Sequence, residues 1–160
     1  MTTIAELMTR DPVTVRPHES VQRAAQLMDE LNVGVLLVWD GLQVRGVVTD
    51  RDITVRATAA GLNPAATEID LVMSDHVRCC SHRQSPAEVL QQMSTVQIRR
   101  LPVLDDAERL VGIVSLGDLA AAHADGVEDA LCRISTPAEP DRSGVPGTRH
   151  EAEEESTASA

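Results

Sequence analysis

Gly46-Val47-Val48-Thr49-Asp50-Arg51-Asp52 returns further along the chain as Gly112-Ile113-Val114-Ser115-Leu116-Gly117-Asp118. Each copy has a glycine, two β-branched apolar residues, a hydroxyl residue, two variable residues and an aspartate. Such self-similarity predicts two copies of one supersecondary unit that bury their apolar faces against each other. Further pairs match at one constant offset, with one residue inserted in the turn before the second motif: Met8 with Met73, Ser20 with Ser85, Met28 with Met93, and Val38 with Val103.

The residues around each motif predict the same order of elements in both copies. The continuous apolar run Val35–Trp39 is typical of a buried strand. Asp40-Gly41 then predicts a tight turn, and Val44–Thr49 a returning strand. Ser20 and Ser85 each precede an apolar stripe at helical spacing and are predicted N-caps. We therefore predict an α/β (α+β) fold of two β-α-β-β-α repeats related by pseudo-two-fold symmetry.

Several boundaries are predicted from local signals. The second helix of the first repeat should start near Asp50 and end at Gly61, a suitable C-cap glycine. The segment Ala65–Met73 is prone to form a helix, and the second repeat should open with a strand at Val77–Cys80. A short helix is expected before the first repeat, at Thr3–Met8.

The composition excludes several classes of function. The formal net charge of −11 argues against a nucleic-acid backbone or an anionic membrane surface as partner. The chain contains no lysine, which removes Schiff-base chemistry and the lysine of phosphate-binding loops. Trp39 is its one aromatic residue, so aliphatic side chains would have to hold any flat ligand.

Localisation and cysteine usage favour a cytoplasmic protein. The chain begins without the basic start and apolar run of a signal peptide. The cysteines Cys79, Cys80 and Cys132 fit neither a disulfide framework nor a spaced metal site. We expect no metal site, and no catalytic residues, because adjacent cysteines in a strand are more often buried apolar residues than nucleophiles.

The repeated motif, the openings Met8-Thr9 and Met73-Ser74, and Arg100–Val103 together resemble a tandem pair of CBS domains, known as a Bateman module. Thr49–Ile53 resembles the small stand-alone bacterial CBS-pair proteins of the hypoxic-response type. The resemblance, together with the composition of the C-terminal residues, implies a division of the chain into five segments. These are CBS repeat 1 at 7–60, a connector at 61–71, CBS repeat 2 at 72–125, a short C-terminal helix or linker at 126–136, and a disordered acidic tail at 137–160.

The hydroxyl-x-x-Asp part of the motif has two interpretations. Thr or Ser followed three residues later by an acid is a helix-capping pattern. An ionised aspartate can also accept hydrogen bonds from both hydroxyls of a ribose, to which the hydroxyl residue adds a contact. We expect both to hold, through different lone pairs of the same side chains.

The family resemblance implies two unequal sites for adenosyl ligands. The second-repeat motif is the stronger candidate, because Gly34-Val35 offers no cation where the other copy has Arg99-Arg100. A solvated surface pair is the alternative role for these two arginines. The expected residues of the stronger site are Ser115 and Asp118 for the ribose, Arg99 and Arg100 for phosphate, and Val13, Thr14 and Val15 against the base. Those of the weaker site are Thr49, Asp52, Arg51, Ile98, Arg78, Cys79 and Cys80.

The functional prediction is a regulatory module that senses AMP, ADP, ATP or S-adenosylmethionine without catalysis and without a required cofactor. We expect a homodimer, because CBS pairs commonly associate with two-fold symmetry. The alternative is a structural or protein-interaction CBS dimer that has lost its ligand and has a stress-related role. In that case an unidentified protein partner would carry the function.

Overall fold

A computed structural model describes residues 1–136 of the protein. The predicted acidic tail lies outside these residues. The elements in chain order are α1 (Ile4–Leu7), β1 (Thr9–Arg10), β2 (Thr14–Val15), α2 (Val21–Leu31), β3 (Val35–Trp39), β4 (Val44–Thr49), α3 (Asp50–Asp52), β5 (Cys80–Ser81), α4 (Pro86–Val96), β6 (Arg100–Leu104), β7 (Leu110–Ser115), α5 (Leu116–Ala121) and α6 (Val127–Ser135).

The two repeats form sheets of matching topology, which confirms the predicted fold class. In repeat 1, β2 lies parallel to β3, and β3 lies antiparallel to β4. In repeat 2, β5, β6 and β7 follow the same pattern. The register shifts at Val38/Trp39 in one sheet and at Val103/Leu104 in the other, so the inserted residue falls in the turn at 105–109.

The long helix of each repeat begins at a serine cap and covers one sheet. The Ser20 hydroxyl accepts from the Arg23 amide at 3.1 Å, and the Ser85 hydroxyl accepts from the Glu88 amide at 3.3 Å. These bonds satisfy amides that the first helical turn leaves unpaired. The apolar stripes then pack into two cores: Val21, Ala24 and Met28 of α2 in one, and Val89, Leu90 and Met93 of α4 in the other.

Each core also takes in a segment that precedes the opening strand of the other repeat. Ile4 and Met8, which come before β2, are buried in the core of repeat 2. Ile69 and Val72, which come before β5, are buried in the core of repeat 1. Strand β1 accordingly pairs with β7, where Thr9 lies opposite Ile113. This exchange joins the two repeats.

Two buried glycines make this exchange possible. A Cβ on Gly112 would lie 2.8 Å from the Thr9 carbonyl oxygen, and a Cβ on Gly46 would lie 2.5 Å from the Ser74 carbonyl oxygen. Backbone oxygens cannot yield at such distances without a shift of the chain. The glycine that opens each motif is therefore a contact point between the repeats, a role that the sequence did not reveal.

Three predicted boundaries were wrong. The opening strand of repeat 2 is Cys80–Ser81 rather than Val77–Cys80. The Ala65–Met73 segment forms only a 3₁₀ turn at Ile69–Leu71. The helix from Asp50 continues as a π-helical stretch at Ile53–Thr58, where the Thr54 hydroxyl donates to the Asp50 carbonyl and competes with the regular backbone bond. Gly61, at φ +70°, does take the predicted left-handed conformation.

Candidate functional site

The second-repeat motif places a carboxylate where β7 passes into α5. Ser115 is the N-cap of this helix, and its hydroxyl accepts from the Asp118 amide at 3.1 Å. Asp118 Oδ2 in turn accepts from the Ser115 amide and from the Ser115 hydroxyl, each at 2.7 Å. The capping role is therefore present. No hydrogen bond within residues 1–136 uses Asp118 Oδ1, which leaves that oxygen available to a ligand.

A cavity of about 350 Å³ opens beside this carboxylate, at the seam between the repeats. It brings together four predicted residues: Val13, Arg100, Ser115 and Asp118. Arg100 and Ser115 are directly opposite each other on β6 and β7. The cavity thus combines a free carboxylate oxygen, a guanidinium and apolar side chains, which can satisfy a ribose, an anion and a flat base respectively.

Sequence reasoning missed most of the apolar lining. Most of these residues lie between the end of α2 and the middle of β3, and the others lie on β1, just after β1, or on β7. The sequence signal for this lining was a pair of aliphatic residues at and just after the end of α2, Leu31 and Val33, which are exposed. The additional lining residues are Thr9, Pro12, Leu31, Val33, Val35, Leu36, Leu37 and Ile113.

Three predicted residues of this site are not in the cavity. Val15 is buried in the core of repeat 1, so its side chain points away from the seam. Thr14 is half-buried on β2, opposite Leu37. Arg99 lines a neighbouring cavity of about 390 Å³ with Leu116 and Gly117, and Arg100 and Ser115 line both cavities.

The electrostatics of the two arginines favour an anion between these cavities. Neither Arg99 nor Arg100 forms an ion pair with a carboxylate of residues 1–136. Both are exposed on a chain with a strong excess of acidic residues. Two free guanidiniums on adjacent residues suit a phosphate group.

The first-repeat motif has the same cap but a different surrounding. Asp52 Oδ2 accepts from the Thr49 amide at 2.9 Å, and Thr49 Oγ1 accepts from the Asp52 amide at 3.0 Å. Asp52 Oδ1, however, lies 3.7 Å from Nη1 of Arg56. The sequence analysis missed Arg56, although its i,i+4 spacing from Asp52 is a signal for an ion pair on a helix.

The other predicted residues of this site lie apart. Arg78 and Cys79 line a cavity of about 390 Å³ against polar residues of α4. Ile98 is half-buried and packs against the core of repeat 2, and Arg51 is exposed. The cavity at Arg78 and Cys79 is not lined by Thr49, Asp52, Arg51 or Ile98.

The adjacent cysteines are held in their thiol form. Burial raises the pKa of Cys79 above its ordinary value. Burial, followed by the neighbouring Cys79, raises the pKa of Cys80 to about 12. The Cys80 thiol also lies 3.6 Å from the Pro102 carbonyl oxygen. Since the thiolate is the nucleophile, these shifts disfavour nucleophilic chemistry at neutral pH.

Within residues 1–136, the described side chains that could hold a metal ion are His18, Glu68 and Asp70. One potential ligand atom from each lies within 4.8 Å of the others, and all three residues are exposed. Sequence analysis found the histidines scattered, and only the pairing of the loops at 17–20 and 67–70 brings this group together.

The helices of residues 1–136 include none with the length and apolar character that a membrane-spanning helix needs.

Comparison with known proteins establishes the family. The CBS domain profile matches residues 4–57 and 66–125, that is, both repeats. The chain belongs to the CBS domain family and contains a tandem pair of these domains. This confirms the resemblance drawn from the doubled motif.

Two curated relatives cover most of the chain. The CBS domain-containing protein YhcV of Bacillus subtilis is 41% identical over 137 residues, which are 84% of this chain and 96% of the relative. Hypoxic response protein 1 of Mycobacterium tuberculosis is 36% identical over 121 residues, which are 75% of this chain and 84% of the relative.

Solved structures agree with the fold and add two kinds of ligand in relatives. The crystal structure of Hypoxic Response Protein I with two coordinated zinc ions has a TM-score of 0.68 and 36% identity, and the match covers 76% of this chain and 99% of that one. The CBS domain pair of protein MJ0100 was solved in complex with 5-methylthioadenosine and S-adenosyl-L-methionine. Its TM-score is 0.67 at 26% identity, with 77% of this chain and 96% of that one covered.

Proposed function

We propose that this CBS pair is a non-catalytic regulatory module that binds an adenosyl nucleotide in the cavity at Ser115 and Asp118. The observation that carries the proposal is the free Oδ1 of Asp118 beside Arg100 in an otherwise largely apolar cavity. In this arrangement Oδ1 accepts from the ribose hydroxyls, and Val13, Leu31 and Val33 enclose the base. The phosphate or other charged group extends toward Arg100 and Arg99. The adenosyl ligands of the MJ0100 pair support this ligand class.

A ligand screen by thermal shift tests the proposal. AMP, ADP, ATP and S-adenosylmethionine are added separately to the full chain, with the matching cytidine nucleotides as controls. A ligand that binds only the folded state stabilises it by about 2.7 kcal/mol at 100 times its Kd. A specific rise in Tm with one or more adenosyl ligands is expected, and equal responses to adenosine and cytidine nucleotides would contradict adenosyl recognition.

The second candidate function is a CBS dimer that acts through a protein surface. It is favoured by large apolar side chains that lie outside the cavity and are strongly exposed: Leu42 at 85% and Leu71 at 72%. A protein partner that covered these side chains would gain the free energy of burying their apolar surface. A cytoplasmic homodimer is part of both candidates, and a stress-related role is suggested by the name of the mycobacterial relative. Light scattering at micromolar concentration tests the dimer, and no response to any nucleotide in the screen would favour this second function.

A further inference from the structure

Arg56 holds the position beside Asp52 that a ligand would need. Its Nη1 lies 3.7 Å from Asp52 Oδ1 and donates to the Val72 carbonyl at 2.9 Å and to the Met73 carbonyl at 3.0 Å. The same nitrogen lies 3.4 Å from Ser74 Oγ. One guanidinium nitrogen therefore connects the motif carboxylate of repeat 1 with the segment that leads into repeat 2.

Burial shows which partner is covered in this contact. The Asp52 side chain is only 13% exposed, whereas that of Arg56 is 48% exposed. The carboxylate is therefore largely covered, and the Arg56 guanidinium is one of the groups beside its Oδ1.

The other repeat lacks this contact. By the motif alignment, the residue that matches Arg56 is Ala122, which has no side-chain group to reach Asp118. The residue that matches Ser74 is Thr9, and Thr9 lines the cavity beside Asp118. In repeat 1, the segment at Ser74 is therefore in contact with the Arg56 guanidinium. In repeat 2, the corresponding segment at Thr9 lines an open cavity.

We propose that the Arg56 side chain blocks ligand binding at Asp52, so that each chain binds one adenosyl ligand, at Asp118. A ligand at Asp52 would have to displace Arg56 from two backbone carbonyls and a carboxylate, which would then need new partners. This inference rests on the proposed function, and it names the residue that decides the number of occupied sites.

Calorimetric titration with AMP and with S-adenosylmethionine, each separately, tests the inference on the full chain. Wild type should bind one ligand per chain, and Arg56→Ala should bind two. The double variant Arg56→Ala/Asp118→Ala should keep one site of full affinity and one weakened site, and a further Asp52→Ala should weaken the remaining site. Arg45→Ala is the matched control, because Arg45 is an exposed arginine of the same repeat that lies 3.8 Å from a different carboxylate, that of Asp40. It should bind one ligand, as wild type does.

The outcomes separate this inference from the proposed function. A second site in wild type, or a single site of unchanged affinity in Arg56→Ala, would overturn the closure by Arg56 and leave ligand binding at Asp118 intact. Binding by Arg56→Ala but not by wild type would overturn the Asp118 site and retain the closure. Binding by neither protein would overturn both. If Arg56→Ala melts before the titration temperature, Arg56→Gln, which keeps hydrogen-bond donors but removes the charge, takes its place with the same criteria.

Discussion

The Asp118 and Asp52 sites share one motif and one capping geometry, and they differ in what reaches the second carboxylate oxygen. At Asp118 that oxygen forms no hydrogen bond within residues 1–136 and lies beside a cavity with Arg100. At Asp52 it faces the Arg56 guanidinium. The cap occupies one oxygen in both repeats and therefore does not decide function. The comparison teaches that a repeated motif can keep its structural role in both copies while the groups around its second carboxylate oxygen differ.

The largest expected effect distinguishes the two aspartates. Asp118→Ala should weaken binding of the nucleotide found in the ligand screen by about 10- to 100-fold, because a charge-assisted hydrogen bond contributes about 1.5–3 kcal/mol. Asp52→Ala should leave the affinity unchanged, since the Arg56 guanidinium, 3.7 Å from its second oxygen, is proposed to exclude a ligand there. Calorimetric titration measures both.

Glu88→Ala is the control for the capping role, because Glu88 caps α4 in the same way through Ser85. All three variants should lose about 0.5–2 kcal/mol of unfolding free energy through the cap. Equal ligand affinity in Asp118→Ala and Glu88→Ala would leave Asp118 with only a capping role.

The exchange between repeats predicts the next largest effect. Gly112→Ala and Gly46→Ala should each destabilise the fold by about 1–3 kcal/mol, because the added methyl would meet a backbone oxygen of the exchanged segment. Gly117→Ala is the matched control within the same motif. Its nearest neighbour would be Ser115 Oγ at 3.5 Å, and alanine favours the helix by up to about 1 kcal/mol. In urea unfolding, Gly112→Ala and Gly46→Ala should lower the unfolding free energy, and Gly117→Ala should raise it. An unchanged unfolding free energy in Gly112→Ala would contradict the packing of β1 against β7.

Cys80 offers a smaller test, because it is the counterpart of Val15 in the other core. Both side chains are buried, each in the core of its own repeat. Cys80→Val should change the unfolding free energy by less than about 1.5 kcal/mol, as expected for a swap of similar volume. Ligand affinity should not change. Weaker ligand binding in this variant, with unchanged stability, would contradict a purely structural role of the thiol.

The smallest expected effect concerns the turns between the paired strands. Hydrogen bonds from the Arg109 side chain and backbone lower the pKa of Asp105 from 3.8 to about 2. In the matching turn, backbone bonds from Gln43 and Leu42 lower the pKa of Asp40. A lowered pKa in the folded state contributes stability above the ordinary pKa, and that contribution is lost as the pH falls through the folded value.

The stability difference between wild type and Asp105→Asn should therefore be constant near neutral pH and shrink between about pH 4 and pH 2. Urea midpoints across this range measure the difference. A difference that grows as the pH falls would contradict the assignment of the Asp105–Arg109 contact. Asp40→Asn should show the same trend with a smaller amplitude, because its ion-pair distance to Arg45 is 3.8 Å.

The sequence by itself determined the two repeats, the order of their elements and the caps. Strand β3 and the α2 stripe follow from apolar periodicity, and the caps at Ser20, Ser85 and Ser115 follow from residues a few positions apart. These signals involve residues close together in the chain, so the amino-acid sequence is enough to identify them. The sequence also favoured the Asp118 site, because Arg100 supplies a cation and the matching residue of repeat 1, Val35, does not.

Only the tertiary structure decided how the repeats join and which groups surround the carboxylate of each motif. The exchange of Ile4 and Ile69 between cores, the burial of Val15 and the contact of Arg56 with Val72–Ser74 all depend on segments distant in sequence. An apolar residue signals that it will be buried, but not which sheet will cover it, because the hydrophobic effect has no direction. An arginine likewise signals a charge, and the fold alone determines whether its partner is a ligand or, as for Arg56, the protein itself.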